Sequence, residues 1–78
     1  MKSVSDALLK AVIARCEAEI AESHAKIELY LNASVGVGEH PDVVSEILAA
    51  CEAGASAQEK LDFLKDASPR ASVLQSIG

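Results

Sequence analysis

The chain is 78 residues long, half of them apolar, with a formal charge of −5 at pH 7, so it holds one small acidic domain. Its seven Lys and Arg are few and spread out, which argues against nucleic-acid backbones and anionic membrane surfaces as ligands. No apolar run approaches the roughly 18 residues of a membrane span, and Met1-Lys2-Ser3-Val4-Ser5-Asp6 lacks the apolar core of a signal peptide, so a cytoplasmic location is expected.

Much of the apolar half is alanine, which favours helix but adds little buried area. Large side chains are scarce: one Phe, one Tyr and no Trp. A chain this short buries only about 60–65% of its unfolded surface, so a monomeric core is marginal and oligomerisation is a usual remedy.

The first element is a helix expected from about Val4 to Asn32. Ser3 or Ser5 can cap it, and Asp6 suits its first turn. Leu9, Ile13, Cys16, Ile20, Ser23, Ile27 and Tyr30 alternate spacings of four and three, the signature of one buried helical stripe. Val12, His24 and Leu31 widen that stripe. Glu17, Glu22 and Glu28, with Lys10 and Lys26, are expected on the opposite face. Glu22 and Lys26 are in the favourable i,i+4 order.

The connection from Ala33 to His40 holds Gly36 and Gly38, which can adopt positive φ without penalty. Pro41 suits a first helical turn, and Asp42 the positive end of the helix dipole. A second helix is expected from Pro41 to about Asp66, with the stripe Val44, Ile47, Cys51, Gly54, Gln58, Leu61 and Leu64. Gly54 costs about 1 kcal/mol of helix propensity. Close approach of the first helix at Ile20 is the expected compensation, and a bend at Gly54 the competing reading. Ser68-Pro69 ends the second helix. In the tail from 69 to 78, Val73, Leu74 and Ile77 have helical spacing and suit docking on the hairpin or on a neighbouring subunit.

Cys16 and Cys51 both fall on apolar stripes. With the turn centred near Val37 their levels differ by about seven residues, or ~10 Å at 1.5 Å per residue. That is too far for a disulfide, so both are expected as free, buried thiols.

The segment Val35-Gly36-Val37-Gly38-Glu39-His40-Pro41-Asp42 is the richest in possible chemistry. Gly-x-Gly before a helix N-terminus can cradle an anion through backbone N–H groups. The third glycine of a dinucleotide fingerprint and the Gly-Lys-Ser/Thr of a P-loop are absent, and Glu39 and Asp42 would repel an anion. Gly36, Gly38, Glu39, His40 and Asp42 therefore stand as a candidate loop site, with a structured turn as the plainer reading. Glu39, His40 and Asp42, or His24 with Glu28, lack the spacing of a closed zinc site. No nucleophile with an activating base is visible, and the paired carboxylates lie on solvated faces with basic neighbours. The expectation is a non-enzyme with no cofactor and no metal.

Ile27-Glu28-Leu29-Tyr30-Leu31-Asn32, followed by Val35-Gly36-Val37-Gly38-Glu39-His40-Pro41-Asp42-Val43-Val44, resembles a class of short, uncharacterised helical-hairpin proteins of marine tailed bacteriophages, especially cyanophages, and marine metagenomes. Their shared pattern is a Glu-rich helix, Asn-Pro-Val-Gly-hydrophobic-Gly-Glu-His-Pro, then a second helix ending in a Leu-rich segment. Ala33-Ser34 stands where that pattern has Asn-Pro. The resemblance covers residues 8–66 and implies the hairpin and a viral or marine bacterial origin. It brings no established activity.

The expected fold is all-α: a long antiparallel two-helix hairpin with a short C-terminal helical segment, one domain over residues 1–78, dimerising into a four-helix bundle. The expected interface residues are Leu9, Ile13, Ile20, Ile27, Ile47, Leu61 and Leu64. The expected function is a self-associating protein–protein interaction module, a homodimer with a further protein partner and neither nucleic acid nor membrane as ligand. The alternative is a small-ligand or nucleotide binder using the 35–42 loop or a groove between subunits.

Overall fold

Thirty consecutive residues without Gly or Pro, many of them Ala, Leu, Glu and Lys, form a single unbroken helix, α1 (Val4–Ala33). The computed structural model describes residues 4–33 and 42–77, all helical apart from Asp42 and Ser68. The second helix, α2, runs over Val43–Ala67 and the third, α3, over Pro69–Ile77. No strand occurs among the described residues. Pro41, the expected first residue of the second helix, lies outside them.

The ends of α2 follow local chemistry. At its start the Asp42 carbonyl accepts the Glu46 N–H at 2.9 Å, while the Asp42 side chain makes no capping bond. At its finish Ser68 turns extended, with φ −140° and ψ 97°. A residue before proline is steered away from helical φ/ψ by the proline Cδ. The Ser68 amide still donates to the Leu64 carbonyl at 2.8 Å, and its own carbonyl accepts from Ala71 N–H at 2.9 Å. Pro69 then opens α3, where a missing N–H costs nothing.

α1 and α2 pack closely along their length. Their closest approach sets the register. A Cβ added to Gly54 would lie 2.9 Å from the Ser23 Cβ and 3.2 Å from its Oγ. The close approach expected at Gly54 is therefore present, but its partner is Ser23, not Ile20. The seam sits three residues from the expected register. In it Cys16 lies level with Leu61, and the two share the core. Cys16 and Cys51 are then separated by about ten residues, or ~15 Å along the axis. Both thiols are free, as expected; Cys16 is buried, but Cys51 is exposed, contrary to the expectation.

The core gathers at the end where three helices meet. Ile13, Cys16, Leu61 and Ala71 are buried together, with Leu9, Ile20, Leu64 and Leu74 packed against them. Leu61 is the largest side chain that is fully buried, at 2% exposed. Its burial is worth about 1.5–3 kcal/mol. Toward the loop end the seam is built from small residues, Ser23, Ala50, Gly54 and Ala57, so the helices come close but bury little apolar area.

α3 docks on the hairpin. Ala71 is wholly buried between α1 and α2, and Leu74 is half-buried, whereas Val73 faces solvent at 59% exposed. Arg70 anchors the start of α3: its Nε lies 2.9 Å from Asp6 Oδ1, and its Nη2 donates to Ser5 Oγ at 3.1 Å. Gln75 Nε2 donates to Glu17 Oε2 at 2.9 Å near the other end. Glu17 therefore meets α3 and does not stand on a bare outer face.

Candidate interaction surface

The hairpin presents two broad faces, one on each side of the seam. On the first, Glu19, Glu22, Lys26 and Tyr30 of α1 and Glu46, Ala49 and Ala53 of α2 line a shallow groove near the loop end. Helical spacing carries this face toward the termini. Val12 lies seven residues before Glu19, Leu8 one turn further, and Arg15 one turn before Glu19. On α2, Lys60 follows Ala53 by seven residues, and Phe63, fourteen after Ala49, stands about 40° further toward the outer side of the helix. Leu8 is 61% exposed and Phe63 75% exposed, so large apolar side chains stand clear of the surface at this end.

On the second face, Ile20, His24 and Ile27 of α1 and Cys51, Gly54, Ala55 and Gln58 of α2 line another open groove. Toward the termini this same side of α1, at Lys10, Ile13, Ala14 and Glu17, is covered by Leu74 and Gln75 of α3. One face is thus open along its whole length, and the other is half covered by α3.

Each residue expected at an interface has a definite place. Leu9, Ile13, Ile20, Leu61 and Leu64 belong to the seam and core within one chain, and Ile27 and Ile47 are half-buried beside that seam. The larger exposed apolar side chains form a different set: Val4, Leu8, Val12, Leu29, Leu31, Val44, Leu48, Phe63 and Val73. Four of them correct the expectation, since Val44 was expected in the second stripe, Val12 and Leu31 beside the first, and Val73 in the docked tail. Val4, Leu8 and Val12 form a ridge at four-residue spacing, a pattern readable in the sequence but overshadowed by the longer isoleucine stripe. Of the candidate loop site, Gly36, Gly38, Glu39 and His40 lie outside the described residues, and Asp42 is exposed at the start of α2. His24, expected to widen the buried stripe of α1, is exposed, and no group of three or more possible metal ligands occurs among the described residues. No helix among them is long and apolar enough to cross a membrane.

Electrostatics divide the molecule along its long axis. Residues 16–59 hold nine of the twelve acidic residues and one of the seven basic ones, a net charge of −8. The two terminal segments, 1–15 and 60–78, hold the remaining six basic and three acidic residues, a net charge of +3. The modest total of −5 conceals an acidic loop half and a basic terminal half. Within the acidic half Tyr30 Oη donates to Glu46 Oε2 at 2.9 Å across the two helices. This hydrogen bond, and then the Glu46 charge itself, hold the Tyr30 phenol above the ordinary tyrosine pKa. Lys26 and Glu22 form an exposed i,i+4 pair at 3.5 Å. Gln58, expected inside the second stripe, instead points outward and donates to Asp62 Oδ1 at 3.2 Å.

No protein-family model, curated protein or solved structure matches this chain.

Proposed function

We propose that the protein is a non-enzymatic helical interaction module, cytoplasmic, that self-associates and in that form binds a further protein. The simplest closed product is a homodimer in which two hairpins make a four-helix bundle. The observation that carries this reading is the balance of apolar surface: nine large apolar side chains are 46–77% exposed, while Leu61 is the one fully buried large side chain among the described residues. Toward the loop end a seam lined by alanine, serine and glycine holds none of these nine side chains inside one chain. Exposed apolar residues are ordinary when scattered, but Val4, Leu8 and Val12 are aligned and Phe63 lies toward the same end, which marks a contact surface. The loop resemblance supports a role as a bacteriophage accessory protein, with a host or viral protein as the partner.

Thermal unfolding followed by circular dichroism over a wide range of chain concentration tests the reading. Self-association coupled to folding raises the midpoint by several degrees per tenfold concentration, because mass action adds about 1.4 kcal/mol per dimer. A midpoint independent of concentration removes the self-associating part of the proposal.

A further inference from the structure

Given that self-association, we infer that the second copy lies antiparallel on the face opposite α3, with the basic terminal half of each chain against the acidic loop half of the other. Three observations carry this. First, α3 occupies the terminal half of one face, at Lys10, Ile13 and Glu17, so a second hairpin can lie along the full length only on the other. α1 is 30 residues, about 45 Å at 1.5 Å per residue, and the molecule's two short dimensions are 19 and 17 Å, giving that open face roughly 750–850 Å² per copy. A standard specific interface uses about 800 Å² per partner.

Second, the charge is complementary only one way round. Among the described residues, 16–33 and 42–59 carry −7 and 4–15 and 60–77 carry +2, so parallel copies set like charge against like at both ends. Antiparallel copies set opposite signs together at both ends, and a twofold axis makes the two contacts identical.

Third, the twofold axis that relates antiparallel copies face to face lays α1 of one along α1 of the other. Full overlap of the 30-residue α1 sets Val4 of one copy level with Ala33 of the other. At that alignment Arg15 of one copy is level with Glu22 of the other, and the opposite charges meet twice, once on each side of the axis. Both side chains are exposed, on the same side of α1.

Charge reversal at this pair tests the orientation separately from the association. The dissociation constants of the wild-type chain, Arg15→Glu, Glu22→Arg and an equimolar mixture of the two variants are measured by sedimentation equilibrium at low salt. Each variant alone creates two like-charged pairs and weakens the dimer by about tenfold. The mixture recreates two opposite pairs and returns to within about threefold of wild type. A wild-type dimer that neither reversal weakens overturns the antiparallel arrangement and leaves self-association standing; so does a mixture no tighter than its components. A wild-type monomer overturns both. Leu8→Asp and Val44→Asp, at sites already exposed, check the face: the first abolishes association and the second, on the other side of the hairpin, leaves it within about threefold. The reverse pattern overturns the assignment.

Discussion

Substituting Gly54 by alanine separates helix propensity from helix packing. On an exposed helix the change would stabilise by about 1 kcal/mol. Here the new Cβ would stand 2.9 Å from the Ser23 Cβ, where carbon atoms normally rest about 3.5–4.0 Å apart. Both atoms are fixed to their backbones, so no rotamer change relieves the overlap and the helices must part by several tenths of an ångström. Overpacking of this kind costs about 1–3 kcal/mol, leaving a net loss of about 1 kcal/mol after the propensity gain. At fixed chain concentration that lowers the midpoint by about 4–8 °C. Ser23→Gly removes the opposing Cβ, so in that background Gly54→Ala should stabilise. Ser23→Ala keeps the Cβ and should not rescue. Urea unfolding of the four corners of the Ser23→Gly, Gly54→Ala cycle gives the coupling, expected at about 1–3 kcal/mol. A Gly54→Ala protein more stable than wild type, or one whose effect is the same in both backgrounds, refutes the account of the seam.

Three further outcomes follow from the same geometry. Tyr30 is the sole tyrosine, so ultraviolet titration reads its phenol alone, and its midpoint should lie above the ordinary value near 10 and fall back toward it in Glu46→Gln. Because the folded-state pKa is raised, the stabilisation from this bond is present at neutral pH and lost as pH climbs through the folded-state pKa; a midpoint unchanged by Glu46→Gln would contradict the hydrogen bond. A thiol reagent should modify Cys51 in the native protein and reach Cys16 only on unfolding, and two rapidly reacting thiols per chain would place Cys16 outside the core. Ala71→Leu should undock α3 and expose its amides to hydrogen exchange, since Ala71 is wholly buried, whereas Arg70→Ala should cost under about 1 kcal/mol because its ion pair with Asp6 is partly solvated; equal effects would contradict the view that packing holds α3.

The helices were legible because their signals are local. Ile13, Ile20 and Ile27 mark the inner face of α1, and Ser68-Pro69 marks the end of α2. The register was not legible, because a seam repeating every three to four residues keeps the same faces inward after a slip of about one turn. Its registration depends on the contact between Ser23 and Gly54, two small residues that carry no hydrophobic signal. The exposure of Cys51 has a related cause. Val44, Cys51 and Gln58, spaced by seven, are all exposed along the edge of the seam, whose buried positions on α2 are Ala50, Ala57 and Leu61, two of them alanines with little hydrophobic signal. The surface was partly legible. The separation of charge between residues 16–59 and the two terminal segments is present in the sequence, but a single net charge averages it away. Only the fold shows that the terminal segments lie together and that α3 closes one face.

The central claim is that a second copy covers the apolar surface a single chain leaves open. Its most direct test is the molar mass in solution by light scattering across a dilution series, with and without EDTA. The account predicts a species of twice the 8.1 kDa chain mass, unaffected by EDTA and weakened by salt. A species of 8.1 kDa at micromolar chain concentration and low salt would contradict it.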